Sequence, residues 1–314
     1  MRRPILCFLL AASLGVGLRP AQAQALPPAP PPPTDSGLHQ GRFIGVVVGT
    51  VVVYGLTTYL LGKTWYTKRV PFHSFNDNGE WLQMDKVGHA TTAYAISQGE
   101  YQLFRWSGVN ERASILTGSL ISLLYQTTIE LFDGRSEGWG FSKGDMVANL
   151  TGIGLFMGQQ YGFGEQKVSL RYGWRRSIYP PYRPNLLGKA LGQQMLKDYN
   201  GQQYWLSVNV ASVLPVGPAF PRWLNLAVGY SGSGMTGGHA NPPYFDPATG
   251  QEVKFTRYRQ FYFSPDASLS RIGGLGYTGQ RLLAAGQFFK LPAPSIEYSG
   301  LHGVRFHPLV VSKD

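Results

Sequence analysis

The chain reads as α+β: an N-terminal four-helix, membrane-associated bundle, then an antiparallel β-rich region (a sheet or a small or partial barrel) with one or two amphipathic helices. Two observations predict this. Residues 42–165 contain four apolar stretches of helical length, separated by short polar segments. From residue 166 the texture changes to short alternating runs bounded by Gly and Pro, as antiparallel strands require. A third observation concerns function. Polar clusters sit at matching ends of the apolar stretches, and if consecutive helices run antiparallel these ends share one pole of a bundle.

The first 23 residues read as a secretory signal. Arg2 and Arg3 precede the apolar run Ile5–Leu18, and Ala21-Gln22-Ala23 supplies a small-x-small cleavage site. An uncleaved anchor is the alternative. The single cysteine, Cys7, lies inside this segment, too deep in the apolar run to be a lipid acceptor. A cleaved chain then lacks cysteine, which excludes disulfides and thiolate chemistry. The formal charge of +11 falls to +8 when Arg2, Arg3 and Arg19 leave with the signal. Such a basic exported protein is expected to lean on anionic membrane lipid. Export and the absence of a recognition motif exclude nucleic acid as a partner. The sequence names no protein partner and no cofactor.

Residues 24–41 form a Pro-rich linker, with Pro-Pro-Ala-Pro-Pro-Pro-Pro at 27–33 reading as a stiff polyproline II spacer. Phe43–Gly62 is uncharged and long enough to cross a bilayer. Gly41, Gly45 and Gly49 recur every four residues, which places them on one face for close helix packing. The second helix is expected over Asp85–Phe104, with Glu100 facing a partner or water. The third covers Ala113–Ile129, and the fourth Met146–Gly164, where Gly154, Gly158 and Gly162 repeat the glycine spacing. A soluble bundle with a very apolar core is the alternative to membrane embedding.

Asp85 and His89 are four apart and share a helix face, so they can hold a metal or a carboxylate-oriented imidazole. Glu130 and Asp133 end the third stretch, and Asp145 and Asn149 begin the fourth. The loop between them carries Arg135 and Lys143. These residues define the candidate site. His89, Glu130 and Asp85 are the acid–base candidates. Lys86, Arg135 and Lys143 are placed to bind an anion or lipid head group. Asp133, Asp145 and Asn149 support them, and Asp85, His89, Glu130 and Asp145 form a candidate metal set. Each acid alone can equally be a helix cap.

Asp85-Lys86-x-x-His89, then Glu130 and Arg135, then Gly140-Phe141-Ser142-x-x-Asp145-x-x-x-Asn149 resembles the YfiM-like family of bacterial envelope proteins, and more distantly VanZ-like membrane proteins. The resemblance covers roughly residues 80–165. It implies a periplasmic or lipoprotein-like envelope protein without an assigned reaction.

In the second half, residues 168–174, 204–210, 223–230, 259–263, 267–272, 295–298 and 304–310 read as strands, and 185–199 and 280–289 as helices. Gly229–Gly238 reads as a flexible hairpin tip. An outer-membrane barrel is the alternative, since Trp and Tyr favour membrane interfaces; against it stand the short strands and an end in Ser312-Lys313-Asp314 rather than an aromatic strand. Gly62-Lys63-Thr64 ends like a phosphate loop, but Thr57 stands where its first glycine belongs. The chain is thus expected to be a membrane-associated envelope protein of unassigned activity. The alternatives are a membrane hydrolase or transferase acting on a lipid or phosphorylated envelope intermediate, and ion or proton passage along the carboxylates.

Overall fold

A computed structural model describes residues 37–66, 68–272 and 276–309. The signal, Cys7 and most of the Pro-rich linker lie outside these residues. The fold is α+β. Four long helices, α1 (Gln40–Thr64), α2 (Met84–Trp106), α3 (Glu111–Asp133) and α4 (Lys143–Phe163), precede a six-stranded antiparallel sheet.

The helices start and stop where their caps dictate. Asn110 caps α3 by accepting from the Ala113 N–H at 2.9 Å, and Ser142 caps α4 by accepting from Asp145 at 3.1 Å. Gly164, at φ 68°, ends α4 in the left-handed conformation that favours glycine. α1 lies along α2 and α3. Phe43 meets Phe104, Tyr54 bonds Thr128 at 2.6 Å, and Thr50 donates to Glu100 at 2.9 Å, which gives that acid its partner.

α1 and α3 are long and apolar enough to cross a membrane. Only 6% of the apolar window of α1 is buried, against 33% for α3. Among the described residues, Gly41, Gly45, Gly49, Gly154, Gly158 and Gly162 have no neighbour within 4 Å of a Cβ built on them, so these repeats make no close helix contact within the described chain. The close approaches are made elsewhere. A Cβ on Gly152 would lie 2.0 Å from the Ala90 carbonyl oxygen, and one on Gly118 2.6 Å from that of Ser97. These two glycines let α4 and α3 seat against α2.

The sheet runs β1 (Val168–Trp174), β2 (Gln202–Asn209), β3 (Leu224–Ser233), β6 (Tyr258–Ala267), β7 (Ser295–Ser299), β8 (Gly303–His307). A small hairpin, β4 (Tyr244–Phe245) and β5 (Glu252–Val253), stands apart. Short helices α5 (Pro184–Leu187), α6 (Leu191–Lys197) and α7 (Val210–Val213) flank β2, and α8 (Tyr277–Ala285) packs on α2.

Four expectations are corrected. The single helix over 185–199 is two, because Gly188 at φ 98° turns the chain where a Cβ would strike the Gln193 backbone at 2.7 Å. Residues 267–272 are not a strand, since β6 ends at Ala267 and Leu269–Arg271 form a 3-10 turn. The helix expected over 280–289 is α8, and Phe288–Lys290 instead hydrogen-bond β1 through Tyr172. Gly229–Gly238 is no hairpin tip: Gly229–Ser233 complete β3, and residues 231–237 are buried. Gly229 is needed because a Cβ there would meet the Trp205 ring at 2.7 Å.

The sheet curls on itself. β1 and β6 are separated by two strands, which in a flat sheet sets them about 14 Å apart. Yet Arg171 of β1 pairs with Asp266 of β6 at 3.0 Å, and the Trp205 ring of β2 packs tilted against Tyr262 of β6, centroids 5.5 Å apart. Lys290, beside the far edge of β1, reaches Ser264 of β6 at 3.2 Å. The inward face is polar and buried, with Arg171, Gln260, Asp266 and Glu297 all at 5% exposure or less.

Candidate functional site

Up-and-down packing brings the end of α3 and the starts of α2 and α4 to one pole. His89, one turn into α2, is its centre. Its Nδ1 lies 3.1 Å from Asn149 Oδ1 of α4. An amide oxygen only accepts, so in the neutral ring this contact places the proton on Nδ1 and leaves the lone pair on Nε2. Three carboxylates surround Nε2: Asp85 Oδ1 and Glu130 Oε1 at 3.7 Å, and Asp145 Oδ1 at 3.9 Å. Glu130 is fully buried. Its Oε2 accepts the Ser142 N–H at 3.0 Å, whereas Oε1 has no hydrogen-bond partner among the described residues.

Lys86 lies beside this group and is bound by three acids: Asp77 at 2.6 Å, Asp145 at 2.7 Å and Asp85 at 3.2 Å. Asp77 also accepts from Ser142 Oγ at 2.7 Å. The Tyr199 hydroxyl, from the β-rich half, donates to Asp85. Asp133 lies one turn from Glu130 and is hydrogen-bonded by Tyr66. Arg135 and Lys143 are exposed. Sequence reasoning placed Lys86, Arg135 and Lys143 together as anion ligands, but only Lys86 reaches the pole, and carboxylates already surround it.

The electrostatics follow from this crowding. Five carboxylates (Asp77, Asp85, Glu130, Asp133 and Asp145) face one lysine and one histidine. Burial opposes charge on His89, but Asp85, Asp145 and Glu130 push its pKa up to about 8. Burial opposes ionisation of Asp85, yet His89, Lys86 and the Tyr199 hydroxyl hold it below the usual aspartate range. Burial and the Asp85 charge together push Asp145 up. Burial works against Lys86 too, while Asp85 and Asp145 hold it above the ordinary lysine range. Buried carboxyl groups outnumber the cations here, and Glu130 Oε1 lacks a hydrogen-bond partner among the described residues, an arrangement that suits an added cation better than an added anion.

Asp85, His89 and Asp145 each offer a ligand atom within 4.8 Å of the others. Ligand atoms about 2.1 Å from a shared ion stand about 3–4 Å apart, which matches the spacing around Nε2. Oxygen-rich ligation with one imidazole suits Mn²⁺ or Zn²⁺.

The turn before α2 fixes the pole. Trp81, Leu82 and Gln83 have φ of 47°, 53° and 64°, three consecutive non-glycine residues in the left-handed region. Each such residue costs about 1–2 kcal/mol, so the turn needs outside support. The β-rich half supplies it. The Tyr230 hydroxyl donates to the Leu82 carbonyl, Arg259 donates to the Gln83 side chain at 2.6 Å, and the Gly238 carbonyl accepts the Trp81 N–H at 2.9 Å.

Sequence reasoning missed Asp77, Tyr66 and Tyr199. Asp77 sits in a loop without periodicity, and Tyr199 is 114 residues from its partner, so no local pattern marks either.

Residues 74–157 match the model of a family described as predicted periplasmic lipoprotein, DUF2279, whose function is unassigned. The match spans the polar pole from Asp77 to Asn149 and is consistent with an exported cell-envelope protein. It stops short of Tyr199 and the whole sheet. No curated protein and no solved structure matches the chain.

Proposed function

We propose that this is an envelope protein, associated with the membrane through α1, whose bundle pole binds a divalent cation on Asp85, His89, Glu130 and Asp145. One observation carries the reading: the free Nε2 of His89 faces three carboxylate oxygens at 3.7–3.9 Å, one of them the unpartnered Oε1 of Glu130. Asn149 would orient the ring from behind, the role that outer partners of metal-bound histidines usually play. Lys86 offsets part of the remaining negative charge. The kinship with YfiM-like envelope proteins, resting on motif order, belongs to the same proposal.

A second reading makes the cation catalytic, in hydrolysis or transfer on a phosphorylated envelope lipid. It is favoured by the mouth of the site, where the Asp85 side chain is 21% exposed against 1% for Glu130. A cation there would attract the phosphate that the bare carboxylates repel.

The test is elemental analysis and Mn²⁺ and Zn²⁺ titration calorimetry on the detergent-purified protein, repeated for His89→Ala and Glu130→Gln. One tight ion per chain, lost in both variants while they stay folded, is expected. A wild type that takes up neither ion would make the pole a structural ion-pair cluster and end the proposal.

A further inference from the structure

The sheet carries its polarity in reverse. In a water-soluble sandwich, alternate residues put apolar groups inside and polar groups outside. Here the inner positions hold the ion pairs. Lys290 joins Arg171 and Asp266, and His307 pairs with Glu297 at 2.7 Å, both 9% exposed or less. The outer positions are apolar. One cross-strand row runs Leu206, Val228, Phe263, Ile296, Phe306 through five adjacent strands, as the register requires. These side chains are between 39% and 67% exposed. A second row, Phe261–Tyr298–Val304, lies alongside and is at least 50% exposed. Among the described residues, Arg259, at the start of β6, is the only charged side chain at the outward positions of the six-stranded sheet. α2 and the turn before it cover the β1–β2 side and the C-terminal end of β3, where Tyr204 packs against Gly88 and Met84 and Leu82 lie against Gly232.

We propose that the outer face of β3, β6, β7 and β8 is seated in the hydrocarbon of a lipid bilayer. Three features select lipid over water or a protein partner. A curled sheet with a polar, ion-paired interior and an apolar exterior has the inside-out polarity of membrane barrels. β3 and β6 are each ten residues long, within the span of a tilted membrane strand. Apart from Arg259 at one edge, the described outward positions of β6, β7 and β8 are apolar, whereas an interface with a second copy usually carries a fuller polar rim. The proposal is independent of the cation site, and it extends membrane contact from α1 to the C-terminal half.

The test uses single cysteines in a Cys7→Ser background: Val228→Cys, Phe263→Cys and Ile296→Cys on the face, with Thr249→Cys in the exposed β4–β5 turn as control. Each is nitroxide-labelled and reconstituted in phosphatidylethanolamine–phosphatidylglycerol vesicles. Power saturation then compares oxygen, which partitions into hydrocarbon, with a water-soluble nickel chelate. The expected result is strong oxygen and weak nickel access at all three face positions, reversed at Thr249→Cys. Because the three labels are separate, loss of one variant to misfolding leaves two readings. Nickel access at the face would overturn the proposal and leave α1 as the sole anchor. Shielding from both reagents, with spin–spin broadening between chains, would overturn it in favour of a second copy.

Discussion

Asn149 Oδ1 lies 3.1 Å from His89 Nδ1, across the α2–α4 interface, and this one contact decides which ring nitrogen faces the carboxylates. Asn149→Ala should leave the ring free to rotate and to exchange tautomers. Mn²⁺ or Zn²⁺ affinity is expected to fall about 10–100-fold, with the fold retained. Calorimetry checks the affinity, and circular dichroism checks the fold. Unchanged affinity would mean that Asn149 merely fills space.

Stability of the chelator-treated protein should depend on pH in a stated direction. The pKa of His89 is raised from 6.5 to about 8, so its contribution is complete below about pH 6.5 and fades as pH rises through 8. That contribution is worth about 2 kcal/mol. Asp145, Glu130 and Asp133, also raised, lose their contributions as pH climbs from the ordinary carboxylate range towards 8, while Asp85 is lowered and contributes only above the acid range. Denaturant midpoints should therefore be highest near about pH 4 and decline steadily to pH 9. Added Mn²⁺ should restore more at pH 8 than at pH 5, because the ion needs the imidazole neutral.

Tyr199→Phe removes the hydroxyl that holds Asp85 from the β-rich half. A hydrogen bond to a charged group is worth about 2 kcal/mol, so urea unfolding should register a loss of that size. Tyr204→Phe breaks a neutral bond to Gln202 nearby and should cost about 1 kcal/mol.

The glycines offer a paired test. Gly152→Ala would drive a Cβ to 2.0 Å from the Ala90 carbonyl and should destabilise by about 3 kcal/mol, since backbone on both sides resists. Gly158→Ala has open space and should be neutral or gain up to about 1 kcal/mol from helix propensity. Thermal unfolding of the two variants side by side checks the sign.

These glycines also show what was legible in the sequence. Helix lengths and order followed from apolar stretches bounded by polar clusters, because burial and capping are local signals. The juxtaposition of Asp85, His89, Glu130, Asp145 and Asn149 followed from antiparallel arithmetic. The four-residue glycine repeats define a face but not what stands opposite it, and among the described residues nothing does. Gly118 and Gly152, which do meet backbone, belong to no repeat. The strands were visible by alternation, but their inversion was not: Val228 and Phe263 look like core residues until the curl of the sheet puts Arg171 and Asp266 inside. Leu82 and Gln83 gave no sign of left-handed backbone, since neither residue type favours it.

That left-handed turn has a consequence for the order in which the molecule can assemble. Trp81–Gln83 are held by Tyr230, Gly238 and Arg259, which follow them by some 150 to 180 residues of chain. Contacts so distant in sequence form late in folding. The helices can pair early, but the first turn of α2, and with it Asp85 and Lys86, takes its final geometry only once β3 and β6 are laid down. A chain cut after residue 165 would keep every residue the family model covers and still lack the clamp. Such a fragment should be helical yet bind the ion weakly, and an orphan copy of the N-terminal half would be an incomplete machine.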